Sequence, residues 1–316
     1  MKAVYVEQTG GPENLKYGDR PKPNPGAGEA LVKIAAAGVN FIDVYFRTGL
    51  YPAEPPVMLG SEGAGTVEAI GPDVTDLQPG DRVAYAMARG SYAEHAVVPA
   101  RLLVKLPPSV DFNTAAAAML QGMTAHYLTH STYSLKSGDT CLIHAAAGGM
   151  GLLLVQMAKM LGARVIGTVG SDDKAARARE NGADEVIIYT REDFAARAKD
   201  LHVVYDSVGK STFLKSLDCL RPRGMMVSFG NASGPAPDIA PLILSQKGSL
   251  FLTRPTLANY IQTREELMWR ANDVLGWIAD GKLKLHIHKS YRLADAAQAH
   301  RDLESRATSG KLVLVP

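Results

Sequence analysis

The sequence predicts an α/β protein in two parts, a mostly β domain that carries a doubly wound parallel sheet as an insertion. Three observations lead there. The middle of the chain alternates short β-rich runs with helical patterns, as strand–helix–strand units do when they pack into a parallel sheet. Before it, residues 1 to about 120 break into short strands punctuated by turn signals. The first strand of the alternating region also runs into a glycine-rich turn that opens an apolar helix.

The elements follow in order. Met1 leads directly into a strand pattern, Lys2-Ala3-Val4-Tyr5-Val6, with no signal peptide visible ahead of it. Residues 30–34, 65–70 and 81–85 read as strands set off by Gly10-Gly11-Pro12, Pro25-Gly26-Ala27-Gly28, Gly71-Pro72-Asp73 and Gln78-Pro79-Gly80-Asp81. Residues 113–130 are alanine-rich and helical. Strands are then expected at 140–143, 164–169, 185–189, 202–206, 224–229 and 248–253. Helices lie between them, including 172–181, where Gly182 stands at the stop, 191–199 and 212–220. An amphipathic helix over 264–280 carries Leu267, Val274, Leu275 and Ile278, and is followed by a strand at 283–288, a helix at 293–304 and a strand at 311–315. This tail returns to the first domain, giving a substrate domain of residues 1–122 and 263–316 around a sheet domain of 123–262. A cleft between two such domains is where a substrate would meet a cofactor.

The totals narrow the function. A chain of 316 residues suffices for two domains, and 46% hydrophobic with 21% charged residues is ordinary for a globular protein in water. A net charge of +2 without a basic stripe gives no reason to expect nucleic acid as a partner. Apolar runs fall short of membrane-spanning length, so no membrane partner is expected. The two cysteines, Cys141 and Cys219, read as buried thiols of a reducing, cytoplasmic setting rather than as a disulfide.

The glycine turn points to a dinucleotide. In register it reads Ala146-x-Gly148-Gly149-x-Gly151, with alanine in the first glycine's place. A strand brings the chain to the sheet's carboxyl edge, and the helix N-terminus then offers free N–H groups and a partial positive charge to a diphosphate. Ala147, Gly148, Gly149, Met150 and Gly151 are the candidate contacts. The competing reading is an α/β sheet without a nucleotide; the turn's place after the first strand of the unit argues against it. Sites that hold a ribose 2′-OH place a carboxylate about 20 residues on, at the end of the second strand. Counting 22 residues from Gly148 gives Gly170, with Ser171 and Lys174 just beyond and Tyr189 at the end of the third strand. A 2′-phosphate, with roughly two negative charges, wants such donors. The alternative, that Asp172 caps a helix and Lys174 is a solvated first-turn charge, stays open, and Asp172 and Asp173 weigh against a phosphate.

Four stretches carry a family resemblance: Gly38-Val39-Asn40-Phe41-Ile42-Asp43-Val44-Tyr45-Phe46-Arg47-Thr48-Gly49-Leu50-Tyr51-Pro52, Gly60-Ser61-Glu62-Gly63-Ala64-Gly65, Gln121-Gly122-Met123-Thr124-Ala125, and the glycine turn. Through them the chain resembles, from Met1 to Pro316, the zinc-independent quinone oxidoreductases of the medium-chain dehydrogenase/reductase superfamily. The resemblance implies a GroES-like substrate domain with an inserted Rossmann domain, NADPH as hydride donor, and a homodimer paired through the sixth strand of the Rossmann sheet, whose edge offers unpaired N–H and C=O groups. It matches Lys174 and Tyr189 to positions that contact the 2′-phosphate. It sets Phe229, Gly230 and Asn231, and Leu252, Thr253 and Arg254, at strand ends where the nicotinamide lies. Lys311 is either a further cofactor contact or a surface lysine.

The resemblance also argues against a metal. Zinc-dependent relatives use a cysteine followed three residues on by aspartate, and the histidine of a Gly-His-Glu; those positions here are Asn40 and Ser61. Two distant cysteines cannot make a four-thiolate site. His286 and His288, on one strand face, read as solvated. Asp43 is expected in the cleft and Glu62 in a structural role. Hydrogen-bond donors beside a quinone oxygen would favour the charge that grows there, and Asn40, Tyr45, Tyr51 and Thr124 are the candidates. Thr124 reads better as orienting the nicotinamide, and Tyr45 and Tyr51 read equally as packed aromatics. Three functions are open: metal-free NADPH-dependent reduction of quinones, by hydride or single-electron transfer; the same fold reducing alkenals, enones or enoyl thioesters; and an NADPH-binding sensor or structural protein with little turnover.

Overall fold

The structure, a computed structural model, describes residues 1–305 and 307–316. The chain divides into one unit of Met1–Met123 with Tyr260–Pro316 and a second of Thr124–Asn259. The first unit begins with strands β1 (Lys2–Val6), β2 (Lys16–Asp19) and β3 (Glu29–Val39), then helix α1 (Phe41–Thr48). Strands β4 (Val57–Met58), β5 (Glu62–Ile70), β6 (Arg82–Ala86), β7 (His95–Pro99) and β8 (Val104–Lys105) follow, and α2 (Phe112–Tyr127) contains the boundary between the units. The second unit holds β9 (Thr140–Ile143), α3 (Gly149–Met160), β10 (Arg164–Val169), α4 (Asp172–Glu180), β11 (Glu185–Ile188), α5 (Phe194–Arg197), β12 (Leu201–Asp206), α6 (Phe213–Leu217), β13 (Leu220–Ser228), α7 (Leu242–Gln246) and β14 (Phe251–Thr253). The first unit is completed by α8 (Arg264–Ala279), β15 (Ile287–Arg292), α9 (Ala296–Glu304) and β16 (Lys311–Val315).

In the first unit, β3 organises the sheet. Its first half pairs with β7 over Glu29–Lys33, and its end pairs antiparallel with β16, Val39 opposite Leu312. Its other edge carries β5, then β6 and β8, while β1, β2 and β4 form a separate three-stranded sheet. Val32, Val67, Val83, Val98 and Val104 are buried in this unit, each worth about 1.5–3 kcal/mol relative to exposure. The register of β16 sets Lys311 beside the junction of β3 and α1.

The second unit is the doubly wound sheet that the alternation predicts. Its six strands are all parallel in the order β11-β10-β9-β12-β13-β14. The winding reverses between β9 and β12, and ligands of such sheets bind outside the carboxyl ends there. Helices cover both faces, so Cys141-Leu142-Ile143 and Val203-Val204-Tyr205 are buried without alternation. On one face Leu142, Ile166, Val204 and Met226 pack against Phe194 of α5 and Phe213 and Leu217 of α6. Cys141 and Cys219 are free and buried, and burial pushes both thiols up to about 12. Among the described residues, no helix is long and apolar enough to cross a membrane.

Several boundaries differ from expectation for local reasons. Helix α2 passes at Tyr127 into a π-helical turn, Leu128–Thr132, where Thr129 Oγ1 donates to the Ala125 carbonyl at 2.8 Å and disturbs the regular ladder. The helix expected at 191–199 begins only at Phe194, because Asp193 caps it by accepting the Ala195 N–H. The helix expected at 212–220 stops at Leu217, since Leu220 already opens β13. The strand expected at 283–288 lies instead at Ile287–Arg292; Leu283 is tied back to α8 through its N–H to the Trp277 carbonyl, 3.0 Å. His286 therefore precedes the strand that holds His288, although the two rings lie edge to face with centroids 6.4 Å apart. The sixth strand of the sheet starts at Phe251, after left-handed residues at Gly248 and Ser249.

Candidate active site

The glycine turn is built around close contact. Beyond β9, His144 N–H bonds to the Tyr205 carbonyl and Ala146 N–H to the Thr168 carbonyl, so the turn starts pinned to both neighbouring strands. The buried His144 ring adds to this, with Nδ1 at 2.9 Å from Thr168 Oγ1 and Nε2 at 2.9 Å from Ser216 Oγ. Burial lowers its pKa, so it stays neutral. Gly148 caps α3, and the Leu152 N–H reaches its carbonyl at 2.9 Å. A Cβ on Gly151 would lie 2.3 Å from the Ala145 oxygen and 2.7 Å from Ala146 Cα, so only glycine lets the helix lie against the turn. Alanine replaces the motif's first glycine because its methyl faces Gly167, where a Cβ would come within 2.7 Å of it. The N–H groups of Gly149, Met150 and Gly151 belong to the first helical turn, which has no intrahelical acceptors and carries the positive end of the dipole. These residues fit a diphosphate.

At the end of β10, Gly170 stands where a carboxylate would hold a ribose hydroxyl. A Cβ there would meet the Tyr189 hydroxyl at 2.8 Å, so Tyr189, half exposed, lies over this glycine. The Tyr189 N–H bonds to the Val169 carbonyl and Thr190 Oγ1 donates to the Gly170 carbonyl, joining the ends of β10 and β11. Ser171 caps α4 and Lys174 lies in its first turn. Gly170, Ser171, Lys174 and Tyr189 are thus brought to one place, and it suits a 2′-phosphate. Of the two carboxylates that weigh against that reading, Asp172 is engaged by Arg191, and Asp173 follows it in the same turn.

The fifth and sixth strands end together. Arg254 donates to the Ser228 carbonyl at 2.9 Å and, with the Asn231 amide oriented to satisfy its neighbours, to Asn231 Oδ1 at 3.1 Å. Phe229 is held by its N–H to the Asp206 carbonyl, and a side chain on Gly230 would strike the Ser207 oxygen at 2.3 Å. Phe229, Gly230, Asn231, Leu252, Thr253 and Arg254 form one edge of the second unit, at the carboxyl ends of its strands. Thr124 lies buried in α2.

Three expectations for the first unit are corrected. Lys311 is not a surface residue: it is buried, with Nζ 2.7 Å from Glu62 Oε2 and 2.6 Å from Asn40 Oδ1, so its charge is engaged within the fold. Asn40 has no capacity left for a substrate oxygen. Its Nδ2 donates to Glu62 and the Gly38 carbonyl, and its Oδ1 accepts from Lys311 and Gln121. Asp43 lines no cleft: it is fully buried, accepting from Ser61 Oγ at 2.7 Å, Tyr92 OH at 3.1 Å and the Asn40 N–H at 3.1 Å. Glu62 is structural, its second oxygen taking the Leu120 N–H at 2.6 Å. Among the described residues, no three His, Cys, Asp or Glu side chains are grouped to hold a metal ion.

A hydrogen-bonded chain continues from Asp43. His300 Nε2 lies 3.3 Å from Tyr92 OH, and its Nδ1 lies 3.1 Å from Arg47. Because the guanidinium can only donate, Nδ1 accepts and the Nε2–H tautomer faces Tyr92. Arg47, itself buried, also grips both Glu304 oxygens and the Gly10 carbonyl. Sequence reasoning missed Tyr92, His300, Arg47 and Glu304. For Arg47 and His300 the available signal was a polar residue on a buried face of α1 or α9. Tyr45 and Tyr51 do come together, rings edge to face at 5.2 Å, with the Tyr51 N–H on the Tyr45 carbonyl at 3.0 Å.

Comparison with known proteins places this geometry. Residues 26–108 match the alcohol dehydrogenase GroES-like domain family, and residues 181–314 match the family described as zinc-binding dehydrogenase. A quinone oxidoreductase of Pseudomonas aeruginosa is 50% identical, with 100% of this chain and 99% of that protein covered. A 2-haloacrylate reductase of a Burkholderia species is 42% identical over 100% of this chain and 99% of its own length. The solved structure of Escherichia coli quinone oxidoreductase complexed with NADPH superposes with a TM-score of 0.98 at 45% identity, covering 100% of both chains.

The buried pair Asp43 and His300 sets a pH dependence. Burial pushes the Asp43 carboxyl up to about 6, against the hydrogen bonds from Ser61 and Asn40, while burial and the Arg47 charge pull His300 down to about 3. The stability that Asp43 contributes is full below its unfolded value of 3.8 and is lost as pH rises through about 6. That of His300 is full above its unfolded value of 6.5 and is lost as pH falls towards about 3. Between pH 7 and pH 5 the two oppose each other. Asp43→Asn removes the offset, so the variant should lose on the order of 1 kcal/mol more stability than the parent over that interval. Urea denaturation at both pH values measures it, and an equal loss in both proteins would show that Asp43 titrates normally.

Proposed function

This chain belongs to the quinone oxidoreductases of the medium-chain dehydrogenase/reductase superfamily, and from that premise we infer that it reduces quinones with NADPH and without a metal ion. The observation that carries the reading is the end of β10, where Gly170 replaces the ribose-binding carboxylate and Ser171, Lys174 and Tyr189 gather around it. When bound, NADPH supplies a hydride from its nicotinamide to an electron-poor acceptor. The glycine turn and the first turn of α3 would hold the diphosphate through Ala147, Gly148, Gly149, Met150 and Gly151, and Lys174 and Ser171 would meet the 2′-phosphate. The edge formed by residues 229–231 and 252–254 would keep the nicotinamide in place, and Thr124 would orient it. On the first unit, the Tyr45 and Tyr51 hydroxyls are the donors that would favour negative charge on an acceptor oxygen. Asn40 contributes at one remove, by fixing the start of the helix that carries Tyr45.

A second acceptor class is favoured by a specific finding, the full-length relation to a 2-haloacrylate reductase, which acts on an activated alkene. For assembly, Phe251 is 57% and Leu252 37% exposed on the edge strand β14, and unpaired backbone groups there suit a second copy of the chain. The two buried free thiols accord with a reducing cytoplasm.

NADPH oxidation followed at 340 nm should be fastest with 1,4-benzoquinone and naphthoquinones; activity confined to alkenals or haloacrylates would transfer the assignment to alkene reduction. Lys174→Ala should raise KM for NADPH roughly tenfold or more, as loss of a charge-assisted hydrogen bond does, and leave KM for NADH nearly unchanged. Sedimentation velocity should give a dimer that Phe251→Asp dissociates, and a monomeric parent would refute the strand pairing.

A further inference from the structure

We propose that Arg191 is a specificity-determining residue: by gripping Asp172 it masks one of the two carboxylates in the first turn of α4, the one next to Ser171, and so favours NADPH at that turn. The inference rests on the NADPH reading above and adds a residue to it.

Asp172 follows directly on Ser171, the cap of α4, and Asp173 comes next. Carboxylates at a helix N-terminus are favourable in themselves, because they meet the positive end of the dipole. A ligand phosphate seated by Ser171 and Lys174 changes their effect, since it brings roughly two further negative charges to the same turn. Arg191 answers this repulsion. Its NH1 donates to Asp172 Oδ1 at 2.9 Å and its NH2 to Oδ2 at 2.5 Å, the two-pronged geometry that fits guanidinium to carboxylate. The backbone delivers it there. The Arg191 N–H bonds to the Ile188 carbonyl at 2.9 Å, and Thr190 Oγ1 donates to the Gly170 carbonyl at 3.2 Å. The same connection that lays Tyr189 over Gly170 thereby carries Arg191 to Asp172.

Stability does not explain the pair. The two side chains are 61% and 67% exposed, and surface ion pairs of that kind add little to folding. Its position beside Ser171 gives it another effect, on the charge that an arriving phosphate meets. With Arg191 in place, Asp172 and Arg191 together present no net charge. Without it, the Asp172 carboxylate adds its uncompensated charge to that of Asp173 against a dianion in a solvent-exposed site, which weakens binding by roughly tenfold. NADH, with a hydroxyl at the same position, does not feel the difference.

Titration of the parent, R191Q and D172N/R191Q with NADPH and with NADH, followed by nucleotide fluorescence, tests the proposal through the ratio of the two dissociation constants. The parent should prefer NADPH. R191Q should reduce that preference about tenfold while still binding NADH, which shows that its site is folded. D172N/R191Q should recover the parent's ratio, because the carboxylate that needed masking is gone. An R191Q ratio equal to the parent's overturns the inference and leaves the NADPH reading standing. A double variant as impaired as R191Q also overturns it, since Arg191 would then act on the phosphate itself. A parent that prefers NADH overturns the NADPH reading and this inference with it.

Discussion

Lys311 and Glu62 lie 249 residues apart in sequence and 2.7 Å apart in the fold, and neither has water to fall back on. Taking such a pair out of water costs several kcal/mol per ion, and the attraction offsets this only if the remaining lone pairs and protons are also satisfied. Here most of them are engaged. Glu62 takes the Leu120 N–H on one oxygen and Asn40 on the other, while Lys311 donates to both Asn40 and Glu62. The geometry therefore fixes four elements at once: β16, which brings the ammonium; β5, which brings the carboxylate; the start of α1 at Asn40; and the middle of α2 at Leu120. Removing either charge alone would leave the other buried and uncompensated.

The tyrosines of the proposed acceptor site inherit their positions from this arrangement. Tyr45 is carried on α1, whose first turn is held through Asn40 and Asp43 and whose last turn is held through Arg47. Tyr51 follows because its N–H bonds back to Tyr45. The polar interior thus serves mainly to place groups that do not belong to it. In zinc-dependent relatives the positions of Asn40 and Ser61 supply metal ligands. In this chain both side chains are absorbed into hydrogen bonds with Glu62, Lys311 and Asp43.

The second unit was largely legible in the sequence, and the first was less so. Strands such as Cys141-Leu142-Ile143 are buried on both faces and appear as unbroken apolar runs, and a glycine turn requires close backbone approach that only a few residue types permit. Both are local properties. The errors at β13 and β14 arose where burial is partial and turn residues such as Gly248 blur the start. In the first unit, the role of Lys311 depended on a partner 249 residues away, which no local pattern encodes; a lysine opening an apolar strand reads the same whether it points to water or into the core. Asn40 and Asp43 were recognised as important positions and misassigned in kind, because residue type alone does not show whether an amide's hydrogen bonds are already used. Arg191 was passed over for a related reason, since its effect lies in what it does to Asp172.

The return of the tail to β3 has a consequence for biosynthesis. All six strands of the parallel sheet lie between Thr140 and Thr253, so that unit's hydrogen-bonding partners are complete while later residues are still being translated. The other unit cannot close until residue 311 has emerged, and through that interval its Glu62 must remain hydrated and the edge of β3 that awaits β16 uncovered. Nascent chains stalled between these two points would pair a finished nucleotide-binding body with an unfinished partner, a state that chaperones would be expected to recognise by its exposed strand edge.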